Sequence, residues 1–293
     1  FKDCTSLTKA PVLPATTLAV SCYNGIFYNC SSLTKSPVLP ATTLADSCYR
    51  DMFNGCPSLT EAPELPATTL ADSCYWGMFY NCTSLAESPE LPVTTLANNC
   101  YREMFRGCTS LTKTPVLPAT TLADSCYSSM FNGCTSLTRA PVLPATTLAD
   151  SCYKYMFLNC TSLSEAPELP ATTLANNCYN VMFYGCTSLT RTPELSATTL
   201  ANNCYTEMFQ FCSSLNEVHC KIPSSYSSSQ ISSYASSWLL GVSSTGTFYT
   251  NADANWPSGV SGIPEGWNRV NEGAPTVDDV TKPLTFKATQ DGS

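Results

Sequence analysis

Charge is scarce in this chain. Lysine, arginine, aspartate and glutamate make up 12% of its 293 residues, about half the ordinary share. The formal net charge is −8, and no basic cluster interrupts it, which argues against nucleic acid and anionic lipid as partners. No apolar run approaches the ~20 residues of a membrane span, so none is predicted. No signal peptide is visible. The chain opens in mid-unit, with Phe1 at the position of Phe27 and Phe53, which reads as a trimmed boundary. Histidine occurs once, at His219 between Val218 and Cys220. A catalytic or metal role would need converging partners, and the residue reads as an exposed member of a late strand. There is no Cys-x-x-Cys pair for zinc or redox chemistry and no Gly-x-Ser-x-Gly element. The sequence therefore predicts no enzyme, no metal and no cofactor.

Cysteine, by contrast, is abundant and regular. One column runs from Cys4 through Cys30 and Cys56 to Cys212, and a second from Cys22 through Cys48 and Cys74 to Cys204, always in steps of 26. With Cys220 these account for all 18 cysteines. A fixed period of this length marks units that cannot bury an apolar face alone, so they stack and share one core.

In the unit that starts at Cys30, the second half reads as a short helix. Thr43 and Asp46 resemble a capping box. Leu44, Cys48 and Met52 share one face at four-residue spacing, flanked by Tyr49 and Phe53. Gly55 is the expected left-handed stop; Asn29, Asn81, Gly107, Gly133, Asn159 and Gly185 are its equivalents, with Phe211 the exception. The first half is extended but interrupted by Pro37 and Pro40, so only two to four ladder residues are expected around Thr34 to Ser36, with a second brief strand near Thr42 to Leu44. Strands stack ~4.8 Å apart and helices ~8–10 Å apart, which would bend the array and place the strands on a concave face.

Past Cys212 the pattern changes. Val218, Cys220 and Ile222 alternate as a half-buried strand would. Two more strands are expected at Thr247–Thr250 and within Ile263–Val270. Residues 1–223 read as about nine rungs and 224–271 as a segment that caps the last rung, which a stack requires. Residues 272–293 read as a linker and the first strand of a following domain, beginning at Leu284.

The element Met-Phe-x-Gly/Asn-Cys-Thr-Ser-Leu-Thr, as at Met130–Thr138, resembles the repeat of the BspA-like leucine-rich repeat proteins, the Bacteroides surface protein type. The resemblance covers roughly residues 1–223, and Trp238–Val270 is similar to the tail that often follows such arrays. It implies an α/β right-handed leucine-rich-repeat solenoid, a short parallel strand plus a short helix per rung, and a C-terminal cap. It further implies export, cell-surface display, and adhesion or partner binding without catalytic residues.

Positions that differ between near-identical units are the candidates for ligand contact. One column is Lys9, Lys35, Glu61, Glu87, Lys113, Arg139, Glu165 and Arg191. Just beyond it, Val12, Val38, Val116 and Val142 accompany basic residues, while Glu64, Glu90 and Glu168 accompany acidic ones. A second set lies on the outer face of the expected helix: Arg50/Asp51, Trp76/Gly77, Arg102/Glu103 and Lys154/Tyr155. Two readings stand beside each other, a ligand surface tuned unit by unit, or drift with charges placed where adjacent rungs can pair. Paired carboxylates such as Glu61 and Glu64 recur as a repeat feature. Asn-Cys-Ser/Thr at Asn29, Asn81 and Asn159 matches a glycosylation signal, but glycine replaces these asparagines in other units.

The functional expectation is a monomeric, exported surface module that binds a protein or glycan without catalysis; the rival is a structural spacer that displays a downstream domain. The cysteines are expected to be buried thiols, because cysteine on an apolar face acts as a small hydrophobe.

Overall fold

A computed structural model describes residues 1–272. Proline sets the geometry of the first half of each unit. Pro37 and Pro40 offer no N–H to a ladder, so contact between units shrinks to single parallel bridges. These join Lys9 to Lys35, Lys35 to Glu61, Glu87 to Lys113, and Arg139 to Glu165. A second line joins Thr43 to Thr69, Thr121 to Thr147, and Thr173 to Thr199. Both lines fall where the sequence places strands, but the first is one residue long rather than two to four, and the second, expected to be brief, is also a single residue.

The second half of the unit overturns the expected helix. Between Thr43 and Cys56 successive N–H groups alternate between two kinds of partner. Cys48, Arg50, Met52, Asn54 and Cys56 donate to the carbonyl three residues back. Tyr49, Asp51, Phe53 and Gly55 donate to Cys74, Trp76, Met78 and Tyr80 of the next unit. The product is a ribbon of overlapping turns bonded sideways as a strand is. Every fourth residue is left-handed, with φ of 53° at Ser47, 53° at Asp51 and 75° at Gly55. An α-helix of L-residues cannot contain such residues.

Spacing explains the choice. Phenylalanine rings of successive units, from Phe27 to Phe209, stack with centroids 5.4–5.7 Å apart. Helices need ~8–10 Å, so they cannot stand side by side here, whereas a turn ribbon can. The four-residue spacing of Leu44, Cys48 and Met52 suits a four-residue turn period as well as a helix, and so does not discriminate between them. These residues and Phe53 are buried. The ribbon is bonded unit to unit just as the bridges are.

The capping box is also corrected. Asp46 accepts the N–H of Asp72 in the next unit at 3.1 Å, Asp72 that of Asn98 at 3.0 Å, and Asn98 that of Asp124 at 3.2 Å. Thr43 is a bridge residue, not a cap. The pair recurs because it belongs to two ladders between units, not to one helix end.

All 18 cysteines are free thiols, and only Cys4 and Cys22 are exposed. The Cys56 thiol donates to the carbonyl of Phe27 at 3.1 Å, which also accepts the Cys30 N–H at 3.1 Å. The same arrangement recurs through Cys212. Cysteine thus fills the core as a small hydrophobe and occupies a second lone pair of a buried carbonyl. Burial pushes the Cys56, Cys108 and Cys160 thiols up to about 12.

After Cys212 the stack continues by other means. Arg191 bridges to Glu217. Then β1 (Glu217–His219), β2 (Thr247–Asn251) and β3 (Asn268–Glu272) form a parallel sheet in that order. β3 starts after Pro264 and Gly266, later than Ile263. Opposite the sheet, Tyr205, Glu207, Phe209 and Phe211 donate to Tyr234, Ser236, Trp238 and Leu240. That step is 29 residues, where the preceding units use 25 (Tyr49 to Cys74). The excess is taken up by α1 (Ser228–Tyr234), which opens with a capping box at Ser227 and Gln230. Trp238 is fully buried, 6.1 and 6.3 Å from the Tyr205 and Phe209 rings, and stacks on Trp256 at 5.1 Å. Its indole N–H donates to the Gly262 carbonyl at 3.0 Å. The expected linker and the strand at Leu284 lie outside the described residues, apart from Glu272, which ends β3.

Candidate ligand-binding surface

The single-residue bridges carry the variable charged column. Lys9, Lys35, Glu61, Glu87, Lys113, Arg139, Glu165 and Arg191 each occupy the same place in their units and are all exposed. Proline follows two residues later in every case. Three ion pairs link neighbouring rungs: Lys113–Glu87 at 3.1 Å, Arg139–Glu165 at 3.0 Å and Arg191–Glu217 at 3.2 Å. Pairing therefore accounts for Glu87, Lys113, Arg139, Glu165 and Arg191. Lys9, Lys35 and Glu61 have no ion pair among the described residues. Exposed pairs of this kind contribute ~0–1 kcal/mol, so stability does not require the charges.

In the next column outward only Glu194 is paired among the described residues, with Lys221 at 3.3 Å; the others have no such explanation. Val12, Val38, Val116 and Val142 are 67–84% exposed. They alternate with glutamates in groups of two rungs: Val12 and Val38, Glu64 and Glu90, Val116 and Val142, Glu168 and Glu194. The buried proline and leucine on either side, such as Pro37 and Leu39, are the same in every group. The backbone therefore repeats while its outermost side chain switches between apolar and acidic.

A row of shallow depressions follows this edge of the stack. One, of about 680 Å³, lies between Glu61, Glu64, Glu87 and Glu90. Its neighbour, about 590 Å³, is bounded by Val38 and Glu64. Further along, about 340 Å³ lies at Val116 and Val142, and about 350 Å³ at Glu168, Arg191 and Glu194. Proline side chains line all four.

A family model described as the BspA type leucine-rich repeat region matches residues 1–112, 50–190 and 128–248, in six copies. The chain belongs to the BspA-type leucine-rich repeat family. A crystal structure of a leucine-rich repeat protein from Bacteroides ovatus is similar at 17% identity, covering 92% of this chain and 76% of that one, with a TM-score of 0.41. No curated protein matches. Among the described residues no helix is long and apolar enough to cross a membrane, and no group of three or more His, Cys, Asp or Glu could hold a metal ion.

The second variable set of this BspA-type repeat is engaged with itself. The Arg50 and Arg102 guanidinium groups lie 4.0 and 4.5 Å from the Trp76 ring centroid. The Trp76 indole N–H donates to Glu103 at 3.4 Å, and Arg50 pairs with Asp51 at 3.3 Å. The indole is covered on the turn ribbon by its own neighbours, which is a structural role. Gly77 is left-handed at φ 61°, and a Cβ there would stand 2.5 Å from Asp51 Oδ1.

His219 corrects a further expectation. It is not an exposed strand residue: its ring stacks on Tyr249 at 4.4 Å, and Nε2 lies 2.8 Å from Glu217 Oε1. Beside it, Lys221 pairs with Glu194 at 3.3 Å and Glu272 at 3.0 Å. Burial alone would lower the Lys221 ammonium, but these carboxylates hold it above its ordinary value. Sequence reasoning missed this cluster because Glu194, Lys221 and Glu272 lie far apart along the chain and meet only when β1 and β3 are in place.

Proposed function

We propose that this chain is an exported, cell-surface module that binds a protein or glycan partner without catalysis, along the edge that carries the charged column and the Val/Glu column. In this reading residues 1–223 form a right-handed solenoid and residues 224–271 cap it. The observation that carries the proposal is the two-and-two alternation of exposed valine and glutamate. Drift would scatter such changes, and core packing does not see side chains that are mostly exposed. Isolated exposed apolar residues need no explanation, but a block pattern along a line of depressions is a surface written for recognition.

The test is binding of the whole chain to a broad array of glycans and extracellular proteins, repeated with Glu61, Glu64, Glu87 and Glu90 all changed to Lys. A partner lost by that variant, and kept by a variant altered at Arg50 and Lys154 on the turn ribbon, supports the proposal. A partner kept by the glutamate variant and lost by the ribbon variant moves the site to the other face. The spacer reading draws on a separate feature, the hydrogen-bonded ladders along two sides of the stack, which make it stiff. It predicts no partner on the array at all.

A further inference from the structure

The blocks along the edge have an order that restricts what can cover them. Counted from the first bridge, rungs 1 and 2 carry Lys9, Val12, Lys35 and Val38. Rungs 3 and 4 carry four carboxylates, Glu61, Glu64, Glu87 and Glu90. Rungs 5 and 6 return to the first type with Lys113, Val116, Arg139 and Val142. Rungs 7 and 8 return to the acidic type with Glu165, Glu168 and Glu194, against one Arg191. The pattern is basic-apolar, acidic, basic-apolar, acidic.

We infer that the partner this edge fits is a second copy of the chain, laid against it antiparallel. This deepens the proposed function and rests on its reading of the edge as a binding surface. A two-fold axis across the stack, between rungs 4 and 5, places each column on the same column of the other copy in reverse order. Each block then faces one of opposite sign. Glu87 meets Lys113 of the other copy, and Glu61 and Lys35 meet Arg139 and Glu165, which are also paired with each other within one chain at 3.0 Å. The glutamates of the outer column meet valines, so the long side chain faces the short one and its carboxylate reaches the neighbouring Lys or Arg. At the axis, the Glu87–Lys113 pair of each copy, 3.1 Å within one chain, closes a ring of four alternating charges.

Other arrangements fail on the same residues. A two-fold axis along the stack puts every rung on its equivalent, like charge on like charge. Shifting the antiparallel register by two rungs sets Lys35 against Lys113 and Glu61 against Glu87. Complementarity of the charged column over rungs 2 to 7 needs this one register. One mismatch remains, Lys9 opposite Arg191, and Arg191 is already held by Glu217 at 3.2 Å. Eight rungs at ~4.8 Å make a contact ~34 Å long. It is only a few residues wide, which is the size of a weak interface rather than an obligate one. Charge complementarity in such an interface sets register and partner choice more than affinity.

The test is sedimentation velocity of the whole chain across a concentration series at about 0.01 M and about 1 M salt, where the screening length falls from ~30 Å to ~3 Å. Self-association to a dimer at low salt, lost at high salt, is expected. Two variants locate the contact. E61K/E64K/E87K/E90K makes rungs 3 to 6 all basic, and K113E/R139E makes them all acidic; each alone is expected to be monomeric. Mixed in equal amounts they are expected to form a heterodimer, because each supplies the block that the other now needs. A chain that is monomeric at low salt up to its solubility limit overturns the inference. So does a dimer that survives both variants, or single variants that remain monomeric when mixed. A monomer whose array binding is still lost on glutamate replacement keeps the proposed function and assigns the edge to a different partner.

Discussion

The repeated units and the segment after Cys212 build the same parallel stack with different local structure. In the repeats, contact on one side is a single bridge per rung, and the other side is a turn ribbon. In the end segment, β1, β2 and β3 are three to five residues long and α1 is a true helix. Two substitutions of circumstance account for this. His219 stands where Pro37 and Pro193 stand in their units, so β1 keeps the N–H that proline lacks, and His219 donates it to Thr192 Oγ1 at 2.9 Å. The helix lies in the longer last step of the ribbon side, and it satisfies its own donors through its capping box and internal bonds. Local structure therefore follows from what the adjacent rung can accept more than from intrinsic propensity.

The largest effect that separates the two regions is expected in alkali. The repeats hold all the cysteines except Cys220, and burial raises the thiols of Cys108, Cys160 and Cys212 from 9.0 to about 12. A raised folded value means that the folded chain keeps protons the unfolded chain loses. The contribution to stability is constant below the unfolded value and falls as pH climbs from about 9 towards 12, by about 1.4 kcal/mol per unit for each thiol. Summed over the columns, this predicts a steep drop in thermal midpoint between pH 9 and 11. A flat midpoint over that range would show the thiols to be far less buried.

Core truncation comes next. Phe105 is fully buried and stacks between Phe79 and Phe131 at 5.6 and 5.7 Å. Phe105→Ala is expected to cost ~3–5 kcal/mol in chemical denaturation. Trp238→Ala is expected to fall in the same range, with the loss of amide protection concentrated in residues 205–262. Uniform loss across the chain would mean that the end segment and the repeats unfold as one unit.

His219→Pro should turn a strand rung into a bridge rung. It removes the donor to Thr192 and the contact with Glu217, for an expected ~1–3 kcal/mol. Hydrogen exchange should then show β1 amides losing protection while those of β3 keep theirs. Equal protection before and after would mean that proline does not set strand length here.

The smallest expected effect tests the ribbon. Gly107 and Gly133 are left-handed at 73° and 74°. A Cβ at Gly107 would collide with the Asn81 side chain, whereas one at Gly133 would meet only the Gly107 backbone at 3.7 Å. Gly133→Ala should cost ~1–2 kcal/mol, the penalty of the left-handed backbone, and Gly107→Ala measurably more. Asn81→Gly should remove the excess at Gly107, since the colliding atom is then gone. Equal costs at the two glycines in thermal melts would reject the account.

The same contact explains why Asn29, Asn81 and Asn159 are each followed, one unit on, by Gly55, Gly107 and Gly185. The asparagine side chain occupies the space over the next glycine. Phe211 stands over Gly241 in the same way. The sequence shows this alternation plainly, but which atoms demand it becomes visible only with the units stacked.

By itself the sequence determined the 26-residue period, the inward columns of Leu44, Cys48, Met52 and Phe53, the left-handed exit at Gly55, and the exposed charged column from Lys9 to Arg191. These follow from spacing and residue type, which are local. Helix or turn ribbon was not decided locally, because a four-residue apolar spacing serves both. The distance between rungs decided it, since rings stacked at 5.4–5.7 Å leave no room for helices. The Asp46 ladder, the Arg50–Trp76–Arg102 sandwich and the His219 cluster likewise join residues at least 26 positions apart along the chain or brought together by β1 and β3. Only a stacked structure gives such residues a common address, because the hydrogen bonds and ion pairs that define them run between rungs.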